Sequence, residues 1–371
     1  MNYQTIARLY GTLAKPVFFK LDPEMVHDTI TVVGGLLGKY AFTKTLTGYF
    51  FDYENFVLEQ KVNGIRFKSP VGLSAGFDKN ANLVDILPYV SFGFAEIGSI
   101  TFKPYKGNPK PRLYRLPKSQ ALVVYYGLKN IGVKKIIQKL KTSNIPQDFP
   151  ISISIAKTNS STTSTTIGGI NDYYSCFKKV VEAGVGNLYT LNISCPNTFG
   201  GEPFTTPEKL DKLLKKINTI KYDKPLFVKM PINLAWNDFD KLLKICIKYR
   251  VSGVVIGNLN KNHKDKNIKD TIPEGLKGGI SGKPTWDLSN ALIEKTYKKY
   301  KAKLTIIGTG GIFSAEDAYT KIKKGATLVQ LITGMIYQGP QLIAQINEGI
   351  VDLMKKDGYK NLSEAVGKEV K

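Results

Sequence analysis

Along most of the chain, short apolar runs alternate with longer stretches in which apolar residues recur every three or four positions. The short runs are typical of strands buried on both faces, and the longer stretches of amphipathic helices that cover them. Helical spacing is clear over residues 133–140, 173–183, 207–217, 236–249 and 288–300. The predicted strands lie at residues 70–75, 94–100, 151–155, 188–193, 226–230, 253–257, 304–308 and 327–332. The pattern therefore predicts an α/β fold built on a parallel sheet.

The number of strands suggests how that sheet closes. Eight strand–helix units fit a (β/α)8 TIM barrel, in which functional residues lie at the C-terminal ends of the strands. An open doubly wound sheet is the alternative, but no Gly-x-Gly-x-x-Gly follows the first strand. We expect residues 46–371 to form the barrel and residues 1–45 a small N-terminal two-helix hairpin.

The hairpin is predicted from two amphipathic stretches joined by an apolar bridge. The first helix covers residues 3–14, the bridge residues 15–20, and the second helix begins at Asp22-Pro23-Glu24. Aspartate accepts hydrogen bonds from a helix start, and proline lacks an N–H where none is needed. Such a hairpin either lies in a membrane interface or packs on the barrel, and the segment alone leaves both possibilities open. We expect no secretory signal, because polar residues interrupt residues 1–15 throughout. We expect no membrane-spanning helix, since the apolar residues 30–37 are far fewer than the ~20 that cross a bilayer.

Composition adds a strong positive charge and excludes several classes of protein. The 371 residues include 53 Lys and Arg against 30 Asp and Glu, a net charge of +23, and 42% hydrophobic residues exclude a disordered chain. Three cysteines cannot build a disulfide framework, and two histidines exclude a histidine-rich metal centre, so we predict no metal. A reducing compartment fits this cysteine content. The charge reflects either lysine-rich composition or an anionic partner; the lysines are spread out and no aromatic-basic RNA motif occurs, so we predict no nucleic-acid partner.

Polar residues follow most of the predicted strands and are the candidates for function. Lys79 follows the first strand and Ser99 the second, while Lys229 ends the fifth and Asn258 follows the sixth. Because Lys229 ends a buried apolar run, we expect a counter-charge beside it.

Glycines near the last two strands indicate a phosphate site. The pair Gly310-Gly311 follows the seventh strand, and residues 278–284 form a second glycine-rich loop. Backbone N–H groups of such loops bind phosphate near strands seven and eight of barrels. Lysines and asparagines without paired carboxylates or a histidine cluster suggest that a bound cofactor performs the difficult chemistry.

The fourth strand ends in Asn192-Ile-Ser-Cys195-Pro-Asn197-Thr198, which contains the sharpest candidate. Cys195 lies at a strand end between polar residues, whereas Cys176 and Cys246 fall inside amphipathic helices and are predicted to be core. A thiol of ordinary pKa ~8.5 serves as a general base where cations or dipoles lower that pKa.

Several blocks together resemble the dihydroorotate dehydrogenases of the membrane-associated, quinone-reducing class, from residue 3 to about residue 359. Their order along the chain matches that family, which is more specific than any single motif. The blocks are residues 21–24 (LDPE), 72–79 (GLSAGFDK), 96–101 (EIGSIT), 107–112 (GNPKPR), 192–198 (NISCPNT), 275–284 and 306–311.

The resemblance implies an FMN flavoprotein that oxidises dihydroorotate to orotate in pyrimidine biosynthesis and passes electrons to a membrane quinone. Cys195 would take the C5 proton while hydride passes from C6 to the flavin, and Thr198 would help to order this base. The substrate would be held by Lys79, Asn192, Asn197, Asn258 and Thr198. His27 and Arg115 would lie at the quinone tunnel. FMN would be held by Ala75, Gly76, Lys79, Ser99, Asn192, Lys229, Gly282, Gly310, Gly311 and Thr333.

Five positions depart from the quinone class. Its base is ordinarily serine, whereas Cys195 matches the soluble classes. The other four are Val124 for an asparagine that contacts orotate and flavin, Leu128 for a phenylalanine, Ser154 for a flavin-contacting asparagine, and Ile332 for the tunnel tyrosine. A lost hydrogen bond costs about 0.5–1.5 kcal/mol, and Tyr125 or Lys129 are the nearby residues able to compensate for Val124.

Three hypotheses follow from the sequence. The first is a quinone-linked dihydroorotate dehydrogenase with a cysteine base, attached peripherally to the cytoplasmic side of a cell inner membrane. The second, favoured by Val124 and Ser154, is a related FMN barrel oxidoreductase with another substrate or a soluble electron acceptor. The third is a basic binding protein for RNA or membrane without turnover. A basic surface beside an amphipathic hairpin suits an anionic membrane at about 1 kcal/mol per nearby cation, although lysine-rich composition explains most of the charge.

Overall fold

A computed structural model describes residues 2–371. Within them the strands β1 to β13 lie, in chain order, at Gln60–Val62, Ile65–Phe67, Val71–Leu73, Phe94–Ile100, Leu113–Leu116, Ala121–Val124, Ile151–Ile155, Leu188–Asn192, Leu226–Met230, Gly253–Ile256, Gly279–Gly282, Thr305–Thr309 and Leu328–Leu331. The helices α1 to α12 lie at Tyr3–Leu9, Lys15–Lys20, Pro23–Leu37, Ala41–Phe51, Val133–Thr142, Thr166–Ala183, Pro207–Ile217, Trp236–Lys248, Trp286–Tyr300, Ala315–Lys323, Thr333–Gln338 and Leu342–Asp357.

Eight parallel strands close into a barrel in the order β3, β4, β7, β8, β9, β10, β12 and β13, with β13 pairing back to β3. Each of the eight predicted strands is present, which confirms the (β/α)8 prediction. Helices α5 to α10 and α12 present apolar faces to the outside of the barrel, and Cys176 and Cys246 are wholly buried there, as predicted.

The two ends of the barrel are built differently. At the N-terminal end, the β1–β2 hairpin places Val62 and Phe67 against Phe94 and other apolar side chains inside the barrel. At the C-terminal end, β5, β6 and β11 form an antiparallel sheet in which Gly279 pairs with Val124. The first end is therefore plugged by apolar side chains, and the second carries the polar strand ends.

The N-terminal segment is more helical than predicted. The chain stays helical from α1 through a π-helical turn at Tyr10–Ala14 into α2, so the predicted bridge over residues 15–20 is wrong. Helix α4 was not predicted, and it runs across the proposed boundary between residues 45 and 46. The start of α3 is confirmed, because Asp22 Oδ1 accepts the backbone N–H of Met25 at 2.8 Å and Pro23 is the first helical residue.

Helix α3 packs on the barrel through its smallest residues. A Cβ atom on Gly34 would lie 2.5 Å from Leu83 Cδ2, and one on Gly35 would lie 3.0 Å from the carbonyl oxygen of Asn82. On the opposite side, Val32 is 62% exposed and Leu36 is 50% exposed. The hairpin thus docks on the barrel and still presents an apolar surface to its surroundings. No helix within residues 2–371 combines the length and apolar character needed to cross a membrane.

Candidate active site

A cavity of about 910 Å³, including the part open to solvent, lies at the C-terminal ends of the barrel strands. His27 of α3 reaches it from the hairpin, and the glycine-rich strand β11 contributes Ser281. Most residues predicted for substrate and cofactor lie together in its wall: Ala75, Gly76, Lys79, Ser99, Asn192, Cys195, Asn197, Lys229, Asn258 and Thr333.

An adjoining cavity of about 540 Å³ shares Lys229 and Thr333 with the first and is lined by Gly282, Gly310 and Gly311. The backbone at Gly310 has φ +102°, and a Cβ there would lie 2.5 Å from Thr285 Oγ1. Only glycine therefore leaves this concave backbone accessible to a ligand. The predicted phosphate-binding glycines lie together, and successive backbone N–H groups in such loops favour anions.

Hydrogen bonds between side chains fix the amides at the ends of β8 and β10. Asn192 Nδ2 donates to Ser99 Oγ at 2.8 Å, and Ser99 Oγ lies 2.7 Å from Ser154 Oγ. Asn258 Nδ2 donates to Ser194 Oγ at 2.8 Å. Because these groups are buried or partly buried and have hydrogen-bond partners, their orientation is set before any ligand binds. Ser154, which replaces an amide in the resemblance, supports Ser99 instead.

The loop after β8 is held by backbone carbonyls. Asn197 Nδ2 donates to the carbonyl oxygen of Val124 at 2.7 Å, while the Val124 side chain lines the cavity. Thr198 does not line the cavity, and its hydroxyl donates to Gly201 O at 2.6 Å. Of the two residues expected to compensate for Val124, only Lys129 reaches the cavity, and its Nζ is bound 2.8 Å from Glu24 Oε1.

Cys195 is partly exposed in the cavity wall. Burial raises the pKa of its thiol to about 11, although the backbone N–H of Asn197 and the ammonium groups of Lys157 and Lys229 act to lower it. The surrounding cations and dipole therefore favour the thiolate but do not fully offset the cost of burying its charge.

Lys79 joins the hairpin to the cavity. Its Nζ lies 3.2 Å from His27 Nε2 and 4.0 Å from the centre of the Tyr126 ring. Burial lowers the pKa of Lys79 to about 7, and burial together with the Lys79 charge lowers the pKa of His27 to about 4. His27 is therefore neutral near pH 7, and Lys79 titrates there, where an anionic ligand would raise its pKa.

The surroundings of Lys229 differ from the prediction of a counter-charge beside it. Its Nζ donates to Ser74 Oγ at 3.2 Å, and within residues 2–371 no carboxylate lies at ion-pair distance from it. The predicted counter-charge is wrong, because the strand ends around this lysine carry amides, hydroxyls and glycines. Its buried positive charge faces the space shared by the two cavities and suits an anionic ligand.

Arg115 lies beside α2, outside the cavity lining. Its Nη1 donates to the carbonyl oxygen of Leu21 at 2.7 Å, and its guanidinium carbon lies 4.8 Å from the Phe19 ring centre. Arg115 thus connects the barrel to the hairpin.

Two residues of this region were missed in the sequence: Tyr126 and Lys157. Lys157 follows β7, so the same strand-end rule that selected Lys79 would have found it. Tyr126 follows β6, outside the barrel strands, and only the folded structure places its ring below Lys79.

Comparisons with known proteins agree with this architecture. The family model for dihydroorotate dehydrogenase matches residues 57–354. A protein of Crocosphaera subtropica named dihydroorotate dehydrogenase (quinone) is 37% identical over 85% of this chain and 84% of its own length. One of Sulfurimonas denitrificans with the same name is 35% identical over 100% of both chains. A crystal structure of DHODH from Eimeria tenella in complex with ferulenol superposes with a TM-score of 0.83 at 25% identity, covering 94% of this chain and 96% of that one. The chain belongs to the dihydroorotate dehydrogenase family.

Proposed function

We propose that this protein oxidises dihydroorotate to orotate with Cys195 as the base, and passes the electrons to a quinone. The observation that carries the proposal is one cavity in which Cys195 lies among Lys79, Asn192, Asn197 and Asn258. The adjoining cavity is lined by the glycine-rich loops whose backbone N–H groups suit a phosphate. The names of the relatives from Crocosphaera subtropica and Sulfurimonas denitrificans support the same substrate and acceptor.

The residues present fit FMN. The glycine-rich loops at Gly282, Gly310 and Gly311 would hold its phosphate, and Lys229, which has no carboxylate partner within residues 2–371, would stabilise the negative charge that the ring gains on reduction. The remaining contacts would come from Ala75, Gly76, Lys79, Ser99, Asn192 and Thr333, which line the adjoining cavity. FMN bound there supplies a two-electron acceptor for the hydride.

The protein's own residues bind the substrate and move its proton. Asparagine amides offer donors and acceptors that match a planar ring of alternating carbonyl and N–H groups. Lys79 would hold the substrate carboxylate, whose negative charge raises the pKa of Lys79 above 7 and keeps it protonated. The Cys195 thiolate would take the proton from C5 and become a thiol.

The approach to the cavity from the hairpin is apolar and suits a quinone. Beyond His27, the wall there is built mainly from aliphatic side chains: Leu113, Leu122, Val124, Leu128, Ile332 and Ile336. We infer that residues 1–45 form the quinone-access and membrane-association domain and residues 46–371 the FMN barrel. The exposed Val32 and Leu36, with cations at Arg8, Lys20 and Lys39, would attach the protein peripherally to the cytoplasmic face of an anionic inner membrane.

Anaerobic flavin bleaching tests the proposal. The purified protein should be yellow, and dihydroorotate should abolish its absorbance near 450 nm, a band typical of oxidised flavin. A short-chain quinone should then restore the colour faster than fumarate or NAD. Faster recovery with fumarate or NAD would reject the quinone as acceptor, and a colourless protein would reject the enzyme.

A second candidate is a related FMN oxidoreductase with another substrate. It is favoured by the apolar Val124 side chain in the cavity wall, where the resemblance places an asparagine. A yellow protein that dihydroorotate does not bleach would support this candidate.

A further inference from the structure

A buried lysine lies outside the cavity lining but close to Cys195. Lys157 follows β7 and is 2% exposed, and its Nζ donates to the carbonyl oxygen of Phe199 at 2.9 Å. Phe199 is four residues after Cys195 in the same loop. Cys195 lines the cavity and Lys157 does not, so this lysine cannot reach the substrate except through the cysteine loop.

The charge of Lys157 is not neutralised by an ion pair within residues 2–371. The acidic residue that acts on it most strongly is Asp172, but Asp172 Oδ1 already accepts the backbone N–H of Thr158 at 2.7 Å and the Thr158 hydroxyl at 3.0 Å. Burial lowers the pKa of the Lys157 ammonium, and a Cys195 thiolate acts to raise it. Each group therefore stabilises the charged form of the other.

The same loop is anchored by two asparagines. Asn159 Oδ1 accepts the backbone N–H of Phe199 at 2.6 Å, and its Nδ2 donates to Gly127 O at 3.1 Å. Asn108 Nδ2 donates to the carbonyl oxygen of Asn197 at 2.9 Å. Both polar groups of the Phe199 backbone are thus bound to residues that follow β7, which fixes the loop that presents Cys195.

We propose that Lys157 is a positioning residue that acts through Cys195: its ammonium anchors the loop at Phe199 and stabilises the thiolate over the thiol. The thiolate would accept the substrate proton and become a thiol, while Lys157 keeps its own protons. Only this catalytic consequence rests on the proposed function.

Other charged and titratable groups near Cys195 also act on the pKa of its thiol. Lys229 on β9 favours the thiolate, and Glu202, paired with Lys261 Nζ at 2.8 Å, opposes it. Tyr173 on α6 donates its hydroxyl to Asn192 O at 2.6 Å, and burial keeps the pKa of that hydroxyl above its ordinary value, so it stays neutral. Without Lys157, Lys229 would be the remaining cation that lowers the pKa of Cys195.

The test is the pH dependence of alkylation of Cys195 by iodoacetamide in the FMN-bound protein, followed by mass spectrometry. Iodoacetamide reacts with the thiolate, and Cys176 and Cys246 are fully buried, so the signal reports Cys195. Lys157→Met keeps the side-chain length and removes the charge. Well below the midpoint, where Lys157 of the parent is charged, alkylation of the variant should be about tenfold slower, which displaces that part of the profile by about one unit to higher pH.

Two controls separate charge from loop anchoring. Lys179→Met removes an exposed lysine of α6 and should leave the profile unchanged. Asn159→Ala releases the Phe199 N–H but keeps Lys157, so it should speed alkylation at every pH without moving the midpoint.

An unshifted Lys157→Met profile would overturn the proposal, as would an equal shift in Asn159→Ala. The flavin spectrum verifies folding, and Lys157→Gln replaces Lys157→Met if the latter does not bind FMN. Because alkylation needs no dihydroorotate, a failed bleaching experiment would reject the proposed substrate without affecting this result.

Discussion

The barrel and the N-terminal hairpin place apolar side chains in opposite ways. In the barrel, residues such as Ile97 and Ile153 are wholly buried between strands and helices. In α3, the buried side chains are Glu24 and Thr31, whereas Val32 and other apolar residues point outward. The barrel is therefore held by its own hydrophobic core, whereas the hairpin keeps an exposed apolar face.

Besides the close packing of its glycines, the hairpin makes polar contacts with the barrel. Glu24 is 3% exposed, and its Oε1 lies 2.8 Å from both Arg112 Nη1 and Lys129 Nζ. Burial acts to raise the pKa of Glu24, but hydrogen bonds from Lys129 and Arg112 outweigh it and hold the pKa below its ordinary value. This contact is present at neutral pH and is lost as pH falls through that lowered pKa. Buried ion pairs of this kind specify an arrangement more than they stabilise it.

The largest expected effect is on flavin reduction in the barrel, with no change in membrane binding by the hairpin. Cys195→Ala should retain FMN but slow flavin reduction by dihydroorotate about 10²–10⁴-fold, because a positioned base is lost. Stopped-flow absorbance measures this rate, and vesicle binding should match that of the parent. Reduction at the parental rate would exclude Cys195 as the base. Cys195→Ser should leave a reduction rate that rises more steeply with pH, because a serine hydroxyl has a higher pKa than a cysteine thiol.

Truncating an apolar side chain should lower the free energy of unfolding much more in the barrel than on the outer face of α3. Ile153→Ala creates a cavity in the barrel core and should lower the free energy of unfolding by about 2–5 kcal/mol. Val32→Ala removes an exposed methyl pair and should change it by less than about 0.5 kcal/mol. Urea denaturation of the two FMN-bound variants gives the comparison. A similar loss in both would show that α3 is covered in solution.

Membrane binding should depend on the hairpin alone. Replacing both Val32 and Leu36 by Glu should weaken binding to anionic phospholipid vesicles at least about tenfold. The apolar area is lost, and the new carboxylates are repelled by the negative headgroups. Vesicle co-sedimentation measures it, with neutral vesicles as a reference. The matched control is Ile167→Glu, because Ile167 of α6 is 75% exposed on the barrel. Equal weakening by the control would assign the binding to general surface charge.

The smallest effect concerns Lys79, where the two regions meet. Its pKa of about 7 means that it is largely neutral at pH 8, and bound orotate should raise that pKa and draw a proton from solution. The dissociation constant for orotate should therefore increase several-fold between pH 7 and pH 8. Calorimetry in two buffers of different ionisation enthalpy measures the proton uptake, which Lys79→Met should abolish. Uptake that persists in Lys79→Met would assign the proton to another group.

Much of the site could be predicted because barrel topology converts sequence position into spatial position. Lys79, Cys195 and Asn258 follow different strands, and parallel strands bring their ends to one rim. Residues of the antiparallel sheet could not be placed in this way. Val124 and Tyr126 lie in or beside β6, and their roles depend on how that sheet folds over the rim.

Helical periodicity predicted the existence of helices better than their extent or their orientation. The apolar run between Lys15 and Lys20 is predicted as a bridge, yet the chain is helical there, since Pro16 lies in the first turn of α2, where proline is tolerated. Helix α4 has many threonines and a glycine, a weak helical signal that packing overrides.

The sequence by itself determined the eight-stranded barrel, the buried cysteines of the helices and the residues at the strand ends, because strand and helix periods and strand direction are local properties of the chain. Only the tertiary structure decided that α3 turns its glycines inward and its valines outward, that Lys229 pairs with Ser74 rather than a carboxylate, and that Lys157 donates to the carbonyl oxygen of Phe199. These outcomes depend on side chains more than forty residues apart, and on the burial that sets the cost of each charge.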